Sequence, residues 1–127
     1  MEGDDIRRIC ANSLDAIPSG VLAQLANAFD PDGLKSVDGS VNCFEQLASA
    51  SGSVLALAGD EDRQCSPEAA ERTLDQLGGT DKKMVKLGIE YGQNSHYGHI
   101  DLLVGKDCPN SVFPVIDQWL DQHDAKS

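Results

Sequence analysis

The hydrophobic pattern is densest over residues 54–58, VLALA, an unbroken apolar run bounded by Ser51-Gly52 and Gly59. A run this short and this continuous predicts a strand buried on both faces, as in a parallel sheet. Asp60, Glu61 and Asp62 follow directly, so three acids fall at the carboxyl end of the strand, the edge where open α/β sheets collect ligands and catalytic groups. Ser66-Pro67-Glu68 then reads as an N-cap, a proline suited to the first helical position and an acid favoured by the helix dipole. Ala70, Leu74 and Leu77 supply the buried stripe of the helix, and Gly78-Gly79 stops it. Residues 84–89, with Met84, Val85, Leu87 and Ile89 set against Lys86, predict a second strand. Residues 54–89 thus form a strand, helix and strand, the parallel crossover unit.

Before this unit the pattern is helical. Ile6, Ile9, Cys10, Ser13 and Leu14 share one stripe over residues 4–16, and Ile17-Pro18 closes it. Ser19 is placed to cap a second helix carrying Val21, Leu22, Leu25, Ala26 and Phe29, which ends in the turn chemistry of Asp30-Pro31-Asp32-Gly33. Residues 41–48 suggest one more short helix. After the second strand, residues 90–98 are rich in Gly, Asn, Gln and Ser and read as a loop leaving the same sheet edge as the acids, with His96 and His99 on it or just beyond. From Asn110 as a cap, Val112, Ile116, Trp119 and Leu120 predict a closing amphipathic helix, with Trp119 as a core anchor.

The 127 residues are one domain's worth of chain, and no apolar run approaches the roughly 20 residues that span a bilayer. The start, MEGDDIRR, lacks the apolar core of a secretory signal and the acid-poor character of a transit peptide. Cytoplasm is the default expectation, or an organelle if the true N-terminus lies upstream. A net charge of −11 argues against a broad nucleic-acid surface, which needs Lys and Arg to replace counterions along the phosphates. Cys10, Cys43, Cys65 and Cys108 are widely spaced, with no Cys-x-x-Cys pair and no His at ligand spacing, so they read as reduced packing residues.

A carboxylate after one strand and an imidazole after the next face one crevice. An Asp that accepts from one imidazole nitrogen fixes the tautomer and leaves the other nitrogen to take a proton from a nucleophile. LALAGDED over residues 55–62, then Ser66-Pro67-Glu68, then His99-Ile100-Asp101-Leu102-Leu103, resembles the C-terminal part of an α/β hydrolase. The resemblance implies a three-layer αβα fragment of two parallel strands, their crossover helix and a C-terminal helix. It implies a core portion over residues 53–127, with residues 1–52 as helical cap or lid. It places the triad acid at Asp62 in Gly59-Asp60-Glu61-Asp62, with Asp60 as a flanking acid, and the base at His99, with His96 the alternative. The reaction implied is hydrolysis of a carboxylic ester or lipid, with no cofactor and no metal.

The family's nucleophile elbow, Gly-x-Ser-x-Gly, is absent from the chain. In the family's order of Ser, acid and His it would lie upstream of Met1. The chain therefore resembles the terminal portion of a longer hydrolase, inactive alone, whether a truncated product, an incomplete gene model or half of a split enzyme. Two rival readings stand beside it. Asp60, Glu61 and Asp62 could hold Mg²⁺. Alternatively, the chain is a non-catalytic scaffold, because a central strand without its earlier neighbours leaves an open edge for self-association or a partner. Asp101 is expected to anchor the loop after His99, Cys65 to pack, and His123 to lie on the surface of the polar tail.

Overall fold

A computed structural model describes residues 16–30 and 33–124, together with Gly3, Asp4, Arg7, Arg8 and Ala11. The stripe predicted from Ile6 to Leu14 lies outside the described residues. The elements are α1 (Ser19–Asn27), α2 (Cys43–Gln46), β1 (Val54–Gly59), α3 (Pro67–Gln76), β2 (Lys82–Leu87), α4 (Asp101–Val104), α5 (Cys108–Ser111) and α6 (Phe113–His123). The class is mixed α/β.

β1 and β2 pair in parallel, in register from Val54 opposite Lys82 to Gly59 opposite Leu87, and α3 makes the crossover between them. The crossover starts as the sequence dictates. Ser66 Oγ accepts from the Ala69 N–H at 3.3 Å, Pro67 occupies the first turn where no N–H is needed, and Glu68 faces the helix dipole. It stops at Leu77, just before Gly78. A Cβ on Gly78 would fall 1.9 Å from the Ala48 carbonyl oxygen, so only glycine lets the 43–50 segment pass this close.

Side-chain alternation along the strands divides the sheet into two faces. Val54 and Ala56 turn toward Cys65, Ala70, Leu74 and Leu77 at α3. On the other face, Leu57, Val85 and Leu87 meet Tyr97, Leu102, Cys108, Val112 and Ile116, which form the main apolar cluster with Leu87, Cys108 and Val112 fully buried. Helices packed against the two parallel strands are compatible with an αβα fragment.

Several boundaries differ from expectation. Residues 54–57 of β1 are only half-buried, because no described strand pairs with the second edge of β1. β2 runs earlier than predicted and ends at Leu87; the chain leaves the sheet at Gly88 (φ 148°), so Ile89 starts a 3₁₀ turn instead of continuing the strand. Ser19 is the first residue of α1 and caps nothing. Asn110 lies within α5, and Val112, not Asn110, precedes α6. Trp119 is partly buried and stacks on His123 at 3.8 Å, whereas Leu120 is largely exposed. His123 is not a free tail residue. It ends α6, with Nδ1 2.7 Å from the Trp119 carbonyl oxygen and Nε2 2.9 Å from Asp81 Oδ2. Among the described residues, no helix is long and apolar enough to cross a membrane.

Candidate functional site

The carboxyl ends of β1 and β2 are adjacent because the strands are parallel and in register, and every candidate residue sits in the two segments that leave them. The first is the turn 60–65. The Asp62 amide closes it on the Gly59 carbonyl at 3.1 Å, and Asp62 Oδ1 accepts from the amides of Gln64 at 2.8 Å and Cys65 at 2.9 Å. This is the local side-chain-to-backbone bonding that favours Asp in turns. It leaves Oδ2 pointing away from the turn. The second segment is the 3₁₀ turn Ile89–Tyr91 and the loop to α4, which carries both imidazoles.

Asp62 and His99 meet directly. His99 Nδ1 lies 2.8 Å from Asp62 Oδ2, and because an ionised carboxylate only accepts, Nδ1 carries the proton. The acid is enclosed, its side chain only 3% exposed, while the imidazole is 48% exposed. Among the described residues the His99 ring has no other hydrogen bond, so Nε2 is left unclaimed on the open side. Burial pushes the Asp62 carboxyl up, but the Cys65 amide, His99 and the Gln64 amide together outweigh it and hold the carboxyl below its ordinary value. Asp62 is therefore an anion at neutral pH.

A second pair lies beside the first. His96 Nδ1 donates to Asp60 Oδ2 at 2.7 Å, with Glu61 Oε1 3.8 Å away. Asp60 is anchored differently from Asp62: it accepts from the amides of Ile89 at 3.0 Å and Tyr97 at 2.9 Å, both on the opposite segment. Burial again raises its carboxyl, and the Tyr97 amide and His96 bring it below the ordinary value. The bond to Asp60, offset in part by desolvation, raises His96 above the usual imidazole value, with Glu61 and Glu90 adding to the effect.

Gly98 donates its amide to Asp101 Oδ2 at 2.9 Å, which ties the base-bearing loop to the start of α4. Cys43, Cys65 and Cys108 are free; the Cys65 thiol lines the apolar groove beneath α3, and burial raises the Cys108 thiol above its ordinary value. A hollow of about 210 Å³ beside the loop is lined by Ser95, His96, Tyr97 and Asp107 among others, and His99 does not line it.

Among the described residues no three His, Cys, Asp or Glu side chains converge as metal ligands. Asp60 and Asp62 turn to different imidazoles instead of toward one another. Asp60, expected only as a flanking acid, instead makes two bonds to the facing loop that its place in the sequence does not announce. The available signal was Gly88, a glycine at the end of the second apolar run. Comparison with protein-family models, curated proteins and solved structures finds no match to this chain.

Proposed function

We propose that this chain is the acid- and base-bearing C-terminal segment of a serine α/β hydrolase acting on carboxylic esters or lipids. The observation that carries the reading is the 2.8 Å contact of His99 Nδ1 with Asp62 Oδ2, made by an enclosed carboxylate whose other oxygen is held by two amides. In this role Asp62 fixes the Nδ1–H tautomer and stabilises the imidazolium that forms. His99 Nε2 takes the proton of an attacking serine hydroxyl and later gives it to the leaving alcohol. The chain contains no Gly-x-Ser-x-Gly, so the serine comes from a segment outside these 127 residues.

The test is turnover of a short-chain p-nitrophenyl ester. The chain alone should give only the background rate. Supplying an in-frame upstream segment with Gly-x-Ser-x-Gly should create turnover that His99→Ala lowers by about 10⁶-fold. Turnover by the 127-residue chain alone, lost in His99→Ala, would place the nucleophile within it and overturn the missing-serine argument.

One observation favours a non-catalytic reading, in which the chain is a hydrolase-derived interaction module. The Val54 and Asp60 amides bond toward β2, so by ladder alternation the backbone groups of Leu55 and Leu57 face the edge that no described strand covers. Size-exclusion chromatography separates the two cases. Self-association that grows with concentration supports an open edge as a binding surface, and a clean, stable monomer speaks against it.

A further inference from the structure

We infer that Asp60 is a positioning residue for His99: its carboxylate clamps the loop leaving β2 onto the end of β1 and so sets where the imidazole meets Asp62. The inference rests on the hydrolase reading for its functional meaning, but not for its geometry.

The clamp is built from backbone. Asp60 Oδ2 accepts from the Ile89 amide and Oδ1 from the Tyr97 amide, so one side chain holds both ends of the loop between β2 and the histidines. Tyr97 is the receiving pin. Its carbonyl accepts from the Glu61 amide at 3.0 Å, its ring is buried in the main cluster, and its hydroxyl bonds to Ser111. His99 follows two residues later. The chain is fitted around this carboxylate at two glycines. A Cβ on Gly88 would lie 1.9 Å from Asp60 Cγ, and one on Gly59 would lie 2.1 Å from the Tyr97 oxygen. Asp62 is secured by its own turn and offers a single oxygen across the gap; it cannot also fix the loop that brings His99 to it. Asp60 does that work. A base set by supporting bonds of this kind is sensitive to displacements well below the size of a side chain.

His96 contributes to the Asp60 carboxylate but not to the backbone clasp, which gives the experiment its contrast. The readout is the ¹H–¹⁵N signal of the His99 Nδ1–H, sheltered by its bond to Asp62, recorded on the full chain. In Asp60→Ala the signal should broaden away or move toward that of a solvent-exposed imidazole, while the methyl signals of Leu87 and Val112 keep their dispersion. In His96→Ala it should stay in place. Asp60→Asn retains an acceptor for the Tyr97 amide, and its Nδ1–H should exchange with water about fivefold faster than wild type, the effect of losing about one hydrogen bond.

A sharp, unmoved His99 signal in Asp60→Ala overturns the inference, as does an equal loss in His96→Ala. If Asp60→Ala fails to fold, Asp60→Asn decides: faster exchange supports the clamp and unchanged exchange overturns it. These spectra do not depend on ester turnover. Failure of the upstream-segment assay would sink the hydrolase reading while leaving the clamp standing, and an unmoved His99 signal would do the reverse.

Discussion

His99 Nδ1 lies 2.8 Å from Asp62 Oδ2 although 37 positions separate the two residues. Parallel pairing accounts for the meeting, because it brings the carboxyl ends of two strands together and lets each deliver a side chain to the same edge. The acid is held rigidly by its own turn and the base is half exposed, an asymmetry suited to a carboxylate that orients and an imidazole that reacts.

Substitution of Asp62 should separate geometry from stability. Asp62→Ala strips the acceptor from the Gln64 and Cys65 amides and should cost about 2–3 kcal/mol, lowering Tm by roughly 10 °C. Asp62→Asn can keep both bonds through its amide oxygen and should cost about 1 kcal/mol or less. Its nitrogen would then face His99 Nδ1, forcing the proton to Nε2, so rates in an assembled enzyme should fall by about 10⁴-fold. Thermal melts of both variants, set against the assembled rate, check the split.

Gly88→Ala should destabilise more than an ordinary surface change. The new methyl group would enter the space of the Asp60 carboxylate, at a backbone φ of 148° that side-chain-bearing residues avoid. A loss of about 2 kcal/mol or more is expected in a denaturant titration. A loss below about 0.5 kcal/mol would show that the loop does not need to pass this close.

Stability should depend on pH in two windows of opposite sign. Asp60 and Asp62 titrate lower in the folded chain than unfolded, so their contribution is present above the unfolded value near pH 3.9 and is lost as pH falls through the folded values. His96 titrates higher when folded, so its contribution is complete below about pH 6.5 and is lost as pH rises through its folded value. Melts across pH should show His96→Gln flattening the upper limb and shrinking the acid limb only in part, because Asp60 keeps its Tyr97 and Ile89 amides and Asp62 keeps all its partners.

Much of this arrangement was legible in the sequence because the signals were local. The VLALA run marked β1, Ser66-Pro67-Glu68 marked the start of α3, and the acids after Gly59 marked the sheet edge. A strand, helix and strand of this length leaves a parallel pair as the natural outcome, so carboxylate and loop histidines had to approach one another. What was not legible depends on contacts between segments. Periodicity counted from Asn110 merges Cys108–Ser111 and Phe113–His123, although Pro109 and Pro114, each in a first turn, mark two separate starts. The bond from His123 to Asp81 joins α6 to the opposite end of the sheet from the acids, and periodicity carries no trace of it. The exposed Leu25 of α1, and Phe29 in the turn beyond it, show the converse limit: an amphipathic stripe predicts a helix, but not that the chain will cover it.

The whole arrangement turns on Asp62 holding His99 in the Nδ1–H tautomer. The ¹⁵N chemical shifts of the His99 ring, followed upward in pH until the imidazole is neutral, test it most directly. A proton on Nδ1 and a bare Nε2 are expected, with that preference lost in Asp62→Ala. A neutral His99 protonated on Nε2 in the wild-type chain, or one exchanging between both tautomers as a free imidazole does, would contradict it.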